Sequence, residues 1–305
     1  MTDVTPAAIK WLERFIEQLQ IEKRSSPHTV TSYRHDLLKL TAYCDEHNIQ
    51  DWQAIQPALI RGHIAARHRQ GMGSKSLQRE LSSIRGFFKF LLKLQVASIN
   101  PAQAIRAPKQ DRKLPKLLDV DQVSGLLDAN TVSLLEIRDQ AMFELFYSCG
   151  LRLSELTDLN INDLDLSDRT LIVRSGKGNK MRVLPIGSKA VKSINSWLMQ
   201  RPQFNAGDET ALFVSNRGKR ISTRNVHQRL QNWCQTKGVA EHVHPHMLRH
   251  SFASHLLESS QDLRAVQELL GHANISTTQI YTHLNFQHLA DVYDQTHPRA
   301  KKRTE

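Results

Sequence analysis

The chain has 305 residues, of which 40% are hydrophobic, and its 41 lysines and arginines outnumber 30 acidic residues to give a formal net charge of +11. This length is long for one compact core, so we expect two domains. The three cysteines are far apart and lack CxxC spacing, which argues against a disulfide framework and indicates a reducing compartment. The excess of positive charge favours an anionic partner, of which nucleic acid is the commonest large one.

No targeting or membrane-spanning segment is expected. The segment from Met1 to Phe15 mixes acidic and basic side chains and has no apolar core of a secretory signal. The most apolar stretch, Ala141 to Leu151, is too short to cross a bilayer and contains Glu144. We therefore expect a cytoplasmic protein.

Residues 6–96 show helical patterns and almost no strand signal. Ser26 and Pro27 predict an N-cap and a first helical residue, which open a long helix reaching Tyr43. A second helix is predicted to start near Ser74. Its apolar residues, at spacings of three and four, are Leu77, Leu81, Ile84, Phe87, Phe88, Leu91 and Leu92.

The other faces of this second helix carry Arg79, Arg85, Lys89 and Lys93. One interpretation is an ordinary solvated helix surface. The other is a small helical domain that holds DNA phosphates with these side chains. The sequence leaves both interpretations open.

Residues 97–116 are rich in proline and in basic side chains, which predicts a partly extended basic linker. Such a linker between two basic domains suits a clamp around a duplex. Residues 117–298 are predicted to be mostly helical, with strands at Thr170 to Val173 and Met181 to Ile186 joined by a glycine-containing turn. The last residues, Arg299 to Glu305, are expected to form a short charged tail.

The segment GLRLSEL predicts a junction between two helices. Gly150 ends one helix and the next begins near Arg152, which brings the guanidinium beside free backbone N–H groups and suits a phosphate. The alternative is a surface ion pair of this arginine with Glu155 or Asp158.

Lys177 lies in the turn between the two predicted strands. A lysine in a turn is usually just solvated. A flexible ammonium at this place is nevertheless able to reach into a groove and deliver a proton.

The segment HVHPHMLRH predicts the start of another helix at Pro245. His246, Arg249 and His250 then lie on one face. The helix is anchored by a neighbouring apolar arc of Leu248, Phe252 and Leu256. Clustered histidines raise the question of metal, but a zinc site usually recruits Cys, Asp or Glu and no HExxH pattern is present. We expect no metal.

Two further residues complete the candidates. His272 follows the glycine that is predicted to cap the preceding helix, which fixes where its ring projects. Ser276 and Gln279 form a predicted capping box, so Tyr281 falls in the first turns of a new helix. Taken alone, each is more often a structural residue than a catalytic one.

In this order the motifs resemble those of the tyrosine recombinase (lambda integrase) family, over essentially the whole chain. All six family positions are filled, by Arg152, Lys177, His246, Arg249, His272 and Tyr281. The resemblance implies a mainly α fold. It consists of an N-terminal helical core-binding (SAM-like) domain at residues 6–96, a basic linker at 97–116 and a mostly helical catalytic domain with a small β-sheet at 117–298.

The resemblance also implies a chemistry, the transesterification of DNA. Tyr281 attacks phosphorus to form a 3′-phosphotyrosine and release a 5′-hydroxyl. A 5′-hydroxyl from the partner strand later attacks the phosphotyrosine, and because one ester replaces another at each step, no ATP is needed. Arg152 and Arg249 neutralise the phosphate oxygens, a task for which many nucleases use metal ions. Lys177 protonates the leaving oxygen.

A phenol has an ordinary pKa of about 10, so the nucleophile needs a base at neutral pH. His246 is favoured for this role. His272 is favoured as a hydrogen-bond donor to the phosphate. The division of work between the two histidines stays open.

The end of the chain is most similar to the branch of the family that resolves chromosome dimers. This implies double-stranded DNA with a dif-like site as the target, a heterotetramer with a sister recombinase, and an FtsK-like septal DNA translocase as activator. It also implies a role in segregation at cell division and a nucleoid-associated place in the cytoplasm. No cofactor and no membrane partner are implied.

Three alternatives remain. The first is a non-catalytic DNA-binding module of the same fold, and the second is a metal-dependent hydrolase that uses the histidine cluster. The third is a phage or transposon integrase, against which the lack of an extra N-terminal arm-binding domain speaks modestly.

Overall fold

The computed structural model describes residues 6–21, 26–109, 117–174, 181–207, 209–239, 243–270, 290 and 292–300. The chain divides into two compact units, Met1–Lys113 and Leu114–Glu305. Each unit has a hydrophobic core of its own. Among the residues described, no helix is long and apolar enough to cross a membrane.

The first unit is helical, and its two predicted helices are confirmed. Its helices are α1 (Pro6–Ile21), α2 (Pro27–Glu46), α3 (Pro57–Arg69) and α4 (Ser74–Lys93). The Ser26 hydroxyl accepts a hydrogen bond from the backbone N–H of Thr29 at 3.2 Å, which makes it the N-cap of α2. The predicted apolar face of α4 is buried from Leu77 to Leu91.

Two of the four basic residues that were predicted to lie on the other faces of α4 form contacts inside this unit. Arg79 pairs with the buried Asp36 at 2.5 Å, and Arg85 donates to the backbone carbonyls of Ala102, at 3.0 Å, and Ile105. These arginines therefore stabilise the unit's own fold, a role that neither interpretation of the sequence included. Lys89 and Lys93 are exposed, as the predicted surface requires.

The second unit is mixed, with a small sheet among helices. Its helices are α5 (Val120–Leu127), α6 (Leu134–Cys149), α7 (Leu153–Asp158), α8 (Ser188–Gln200), α9 (Thr223–Thr236), α10 (Pro245–Ser260) and α11 (Leu263–Leu270). Its strands are β1 (Leu164–Asp165), β2 (Thr170–Val173) and β3 (Arg182–Pro185). They form an antiparallel sheet in the order β1-β2-β3. Both predicted strands are confirmed, and the two-residue β1 was not expected.

Helix α6 lies in the core of this unit and packs against α8, α9 and α10. It is buried on nearly all sides, which explains why its sequence is apolar without a clear helical stripe. The prediction of a charged tail is wrong for its first residue, because Arg299 is buried, with 2% of its surface exposed. Its guanidinium donates to the carboxylate of Glu144, also buried on α6, at 2.8 Å. A buried carboxylate requires a paired cation, and the end of the chain supplies it.

Candidate active site

Arg152 lies at the junction that the sequence predicts between α6 and α7. Gly150 ends α6 in the left-handed conformation, with a φ of 58°. A Cβ atom there would lie 2.4 Å from the ring of Phe252, so only glycine fits this turn. The chain then enters α7 with Arg152 as its N-cap. The predicted helix end and helix start are both confirmed.

The carboxylate of Glu155 gathers three arginines. It accepts from the backbone N–H and the Nη1 of Arg152, both at 2.7 Å. Arg182 binds it through two nitrogens, at 2.9 and 2.8 Å. The Nη1 of Arg249 lies 3.9 Å away. The ion pair between Arg152 and Glu155, the alternative interpretation of this arginine, is therefore present. Three cations around one anion nevertheless leave an excess of positive charge.

The C-terminal end of α11 supplies a second meeting point. The carbonyl oxygen of Leu270 accepts from the Nη2 atoms of Arg249, at 2.7 Å, and of Arg152, at 3.4 Å. The Nε of Arg182 donates to the carbonyl of Leu269 at 3.3 Å. Helix C-termini carry partial negative charge, which favours cations there. The structure thus brings the two arginines of the predicted site to one oxygen; together we call them the arginine pair.

Arg249 belongs to α10, which starts at Pro245 as the sequence predicts. Burial, and next the charge of Arg152, lower the pKa of the Arg249 guanidinium to about 10. It stays protonated at neutral pH, in a place where it is repelled by like charge. Such an environment favours an anion that neutralises both guanidiniums. His246 lies one turn before Arg249, and its side chain is exposed.

The anchoring of α10 is confirmed. Leu248, Phe252 and Leu256 are all buried in the core of the second unit. Because they fix one side of the helix, the face that carries His246 and Arg249 keeps its direction.

Lys177, His272 and Tyr281 lie outside the described residues, as do the predicted capping glycine and the capping box. The flanks of these segments are described. Val173 pairs in register with Arg182 on either side of the lysine segment. The tyrosine segment is flanked by Leu270, whose carbonyl accepts from the arginine pair, and by residues 290 and 292–300, which include the buried Arg299.

The sequence predicts Glu155 only as a possible partner of Arg152, and it does not predict a role for Arg182. A signal was available in the spacing of Glu155 three residues after Arg152, which indicates a carboxylate at the third helical position. No comparable local signal marks Arg182, whose partners lie on α7 and α11.

We expect Glu155 to make the stability of the second unit sensitive to acid. Burial alone raises the pKa of this carboxyl, but the hydrogen bonds and charge of Arg182, followed by those of Arg152, outweigh burial and lower the pKa to about 2. Because the pKa is lowered in the folded state, the Glu155 carboxylate stabilises the fold at pH values above the ordinary pKa. This stabilisation is lost as pH falls towards about 2. The loss should be on the order of 3 kcal/mol.

The measurement is the free energy of unfolding between pH 5 and pH 2 in the wild type and in Glu155→Gln. The variant should start less stable and lose less of its stability over this range. Glu258→Gln, on the exposed side of α10, is the matched control and should keep the wild-type slope. Equal slopes in wild type and Glu155→Gln would contradict the prediction.

Comparisons with known proteins agree with this fold. The model of the "Phage integrase family" matches residues 116–288, and that of the "Phage integrase, N-terminal SAM-like domain" matches residues 12–95. The tyrosine recombinase XerC of Alcanivorax borkumensis is 50% identical over 97% of this chain and 96% of its own length. That of Pseudomonas syringae pv. tomato is 51% identical over 96% of this chain and 97% of its own.

A solved structure shows the same fold at low sequence identity. The XerH site-specific recombinase, in a post-cleavage complex with palindromic difH substrate, is 20% identical with a TM-score of 0.73, covering 96% of this chain and 97% of that one. Two family models and near full-length relatives at half identity agree with one another and with this fold. The chain therefore belongs to the phage integrase family and is a tyrosine recombinase.

Proposed function

We propose that the chain is a site-specific recombinase of the XerC type, which cuts and rejoins DNA strands through a 3′-phosphotyrosine at Tyr281. One observation carries this proposal more than any other. The guanidiniums of Arg152 and Arg249 converge on the carbonyl of Leu270, and the Arg249 pKa is lowered by burial and by its neighbour's charge. Two convergent, partly buried cations with spare positive charge suit a scissile phosphate.

The chemistry divides among the six candidate residues. The arginine pair neutralises the non-bridging oxygens as charge builds in the transition state. Lys177 protonates the departing 5′-oxygen, and His246 helps to remove the phenol proton. His272 donates a hydrogen bond to the phosphate. Since the arginines supply the positive charge, the reaction needs neither metal nor ATP.

The choice of Tyr281 is supported by the other tyrosines of the second unit. The hydroxyl of Tyr147 lies 2.8 Å from His255, and that of Tyr293 lies 2.7 Å from Ser148. Burial raises the pKa of both phenols above the ordinary value. A buried, hydrogen-bonded phenol with a raised pKa is a poor nucleophile for DNA, so these two are unsuited to the role.

The proposed setting follows from the relatives named XerC at about half identity. The target is a dif-like site in double-stranded DNA, bound by a heterotetramer with a XerD-like sister recombinase. An FtsK-like septal translocase activates the exchange, which resolves chromosome dimers at cell division. The bounds of the domains, 6–96, 97–116 and 117–298, belong to the same proposal, as does a nucleoid-associated place in the cytoplasm.

The test is a nicked duplex whose cleavage releases a short 5′-hydroxyl fragment, so that rejoining is prevented and the covalent intermediate accumulates. Wild-type protein should form the adduct in the presence of a strong metal chelator. Peptide mapping should find the DNA 3′-phosphate on residue 281. A free 3′-phosphate or 3′-hydroxyl made by water, or loss of activity with the chelator, would count against the proposal and favour a metal-dependent hydrolase.

A further inference from the structure

Arg182, to which the chemistry above assigns no role, joins three parts of the site. It is the first residue of β3, and it is 5% exposed. Its guanidinium donates two hydrogen bonds to Glu155 on α7 and one to the carbonyl of Leu269 on α11. The strand that follows the Lys177 segment is thereby joined to α7, whose N-cap is Arg152, and to α11, whose Leu270 carbonyl accepts from the arginine pair.

The contacts of Arg182 matter because of its position in the sheet, next to the connection that carries Lys177. Arg182 pairs with Val173 in the antiparallel register of β2 and β3, and it is the last pair before the connection that carries Lys177. The two residues form the root of the β2–β3 connection. A misplacement of about 1 Å is able to lower an enzymatic rate by about 10². The alignment of this root against the arginine pair therefore bears directly on proton delivery.

We propose that Arg182 is a positioning residue, which places Lys177 relative to the arginine pair by holding the root of the β2–β3 connection against α7 and α11. The inference rests on the proposed function. In the step concerned, the bond between the Tyr281 oxygen and phosphorus forms, and the bond between phosphorus and the 5′-oxygen breaks. The proton passes from the Lys177 ammonium to that oxygen, so that a neutral 5′-hydroxyl leaves.

A matched control lies at the opposite side of the same root. Arg174 directly follows β2, and its Nε donates to the buried carboxylate of Asp163. This ion pair joins the root to the short helical turn Ile161–Asp163 instead of to α7 or α11. The Arg174 side chain is 60% exposed. Comparing the same substitution at residues 174 and 182 therefore distinguishes two effects. One is the loss of the contacts that align the root with the arginine pair, and the other is a general loosening of the β2–β3 connection.

The informative substitution is Arg182→Lys. It keeps a positive charge beside Glu155 but loses the planar fork that binds both carboxylate oxygens. Removing the charge altogether would leave a buried carboxylate with less compensation and threaten folding. The control is Arg174→Lys.

The experiment compares single-turnover cleavage of two nicked duplexes, one with the natural 5′-oxygen at the scissile bond and one with sulfur in its place. A thiolate leaves without a proton, because a thiol has a pKa of about 8.5. Arg182→Lys should cleave the oxygen substrate about tenfold to a hundredfold more slowly. On the sulfur substrate its loss should be under about threefold. Arg174→Lys should match the wild type on both.

Three results would overturn the inference: an equal loss on both substrates, no loss on either, or the same loss in Arg174→Lys. Absence of a cooperative thermal transition in Arg182→Lys would also overturn it, because the residue would then be required for the fold itself. Failure of the wild type to form any adduct would instead refute the proposed function. The wild type is measured alongside, so the two failures are distinguished.

Discussion

Replacing Tyr281 by phenylalanine should abolish the covalent protein–DNA complex completely while leaving DNA binding intact. The substitution removes one oxygen atom, and that oxygen forms the bond to phosphorus in the proposed mechanism. No partial activity is expected, because no other group of the site can form the phosphotyrosine. The measurement is adduct formation on the nicked duplex at saturating protein.

Binding is measured beside cleavage, since it separates this prediction from misfolding. The affinity of Tyr281→Phe should equal that of the wild type and fall steeply with salt, as expected of a protein with a formal charge of +11 that binds phosphates. Tyr33→Phe, a half-buried tyrosine on α2, removes the same atom elsewhere and should form the adduct normally. An adduct with Tyr281→Phe would mean that the nucleophile is another residue.

The parts of the site that the sequence predicts are those set by local rules. Gly150 had to end a helix, because the chain turns there into a conformation that glycine favours. Pro245 had to begin one, and the spacing of His246 and Arg249 then placed both on one face. Such signals act within a turn or two of helix, so one sequence suffices to find them.

The parts that the sequence missed are pairings across the fold. Arg182 on β3 pairs with Glu155 on α7, 27 residues earlier in the chain, and Arg299 pairs with Glu144 over 155 residues. Both carboxylates lie on helices whose packing buries them. A buried carboxylate requires a cation as its partner, and the tertiary fold decides which cation is close enough. Nothing in the local pattern names that cation. An arginine in a strand and one in an apparent tail look alike until the chain is folded.

The same distinction explains the N-terminal unit. The apolar spacing of α4 predicted its buried face, since amphipathic spacing reflects the helix itself. The destination of Arg85 was not predictable, because its acceptors are carbonyls of residues 102 and 105, beyond the expected end of the helical domain. Some basic residues on a helix surface stabilise the fold, and others stay available to bind DNA. The helical pattern does not distinguish the two kinds, because their partners lie elsewhere in the chain.

Replacing Arg249 by methionine should slow cleavage by about 10²–10³, the usual effect of removing one preorganised group that stabilises transition-state charge. Methionine keeps much of the apolar stem and removes the guanidinium. Phosphate neutralisation would then rest on Arg152 alone. The measurement is single-turnover cleavage of the nicked duplex, with Lys192→Met on the exposed side of α8 as a control of equal charge change.

We also expect Arg249→Met to have nearly the stability of the wild type. The lowered pKa of the Arg249 guanidinium, caused first by burial and then by the charge of Arg152, means that its positive charge is unfavourable in the free protein. Removing it relieves that repulsion, while the lost hydrogen bonds to the carbonyls of Gly150 and Leu270 oppose the gain. The free energy of unfolding should therefore change by no more than about 1 kcal/mol. A large fall in stability together with unchanged cleavage would show that Arg249 serves the fold, and that the cation which holds the phosphate lies elsewhere.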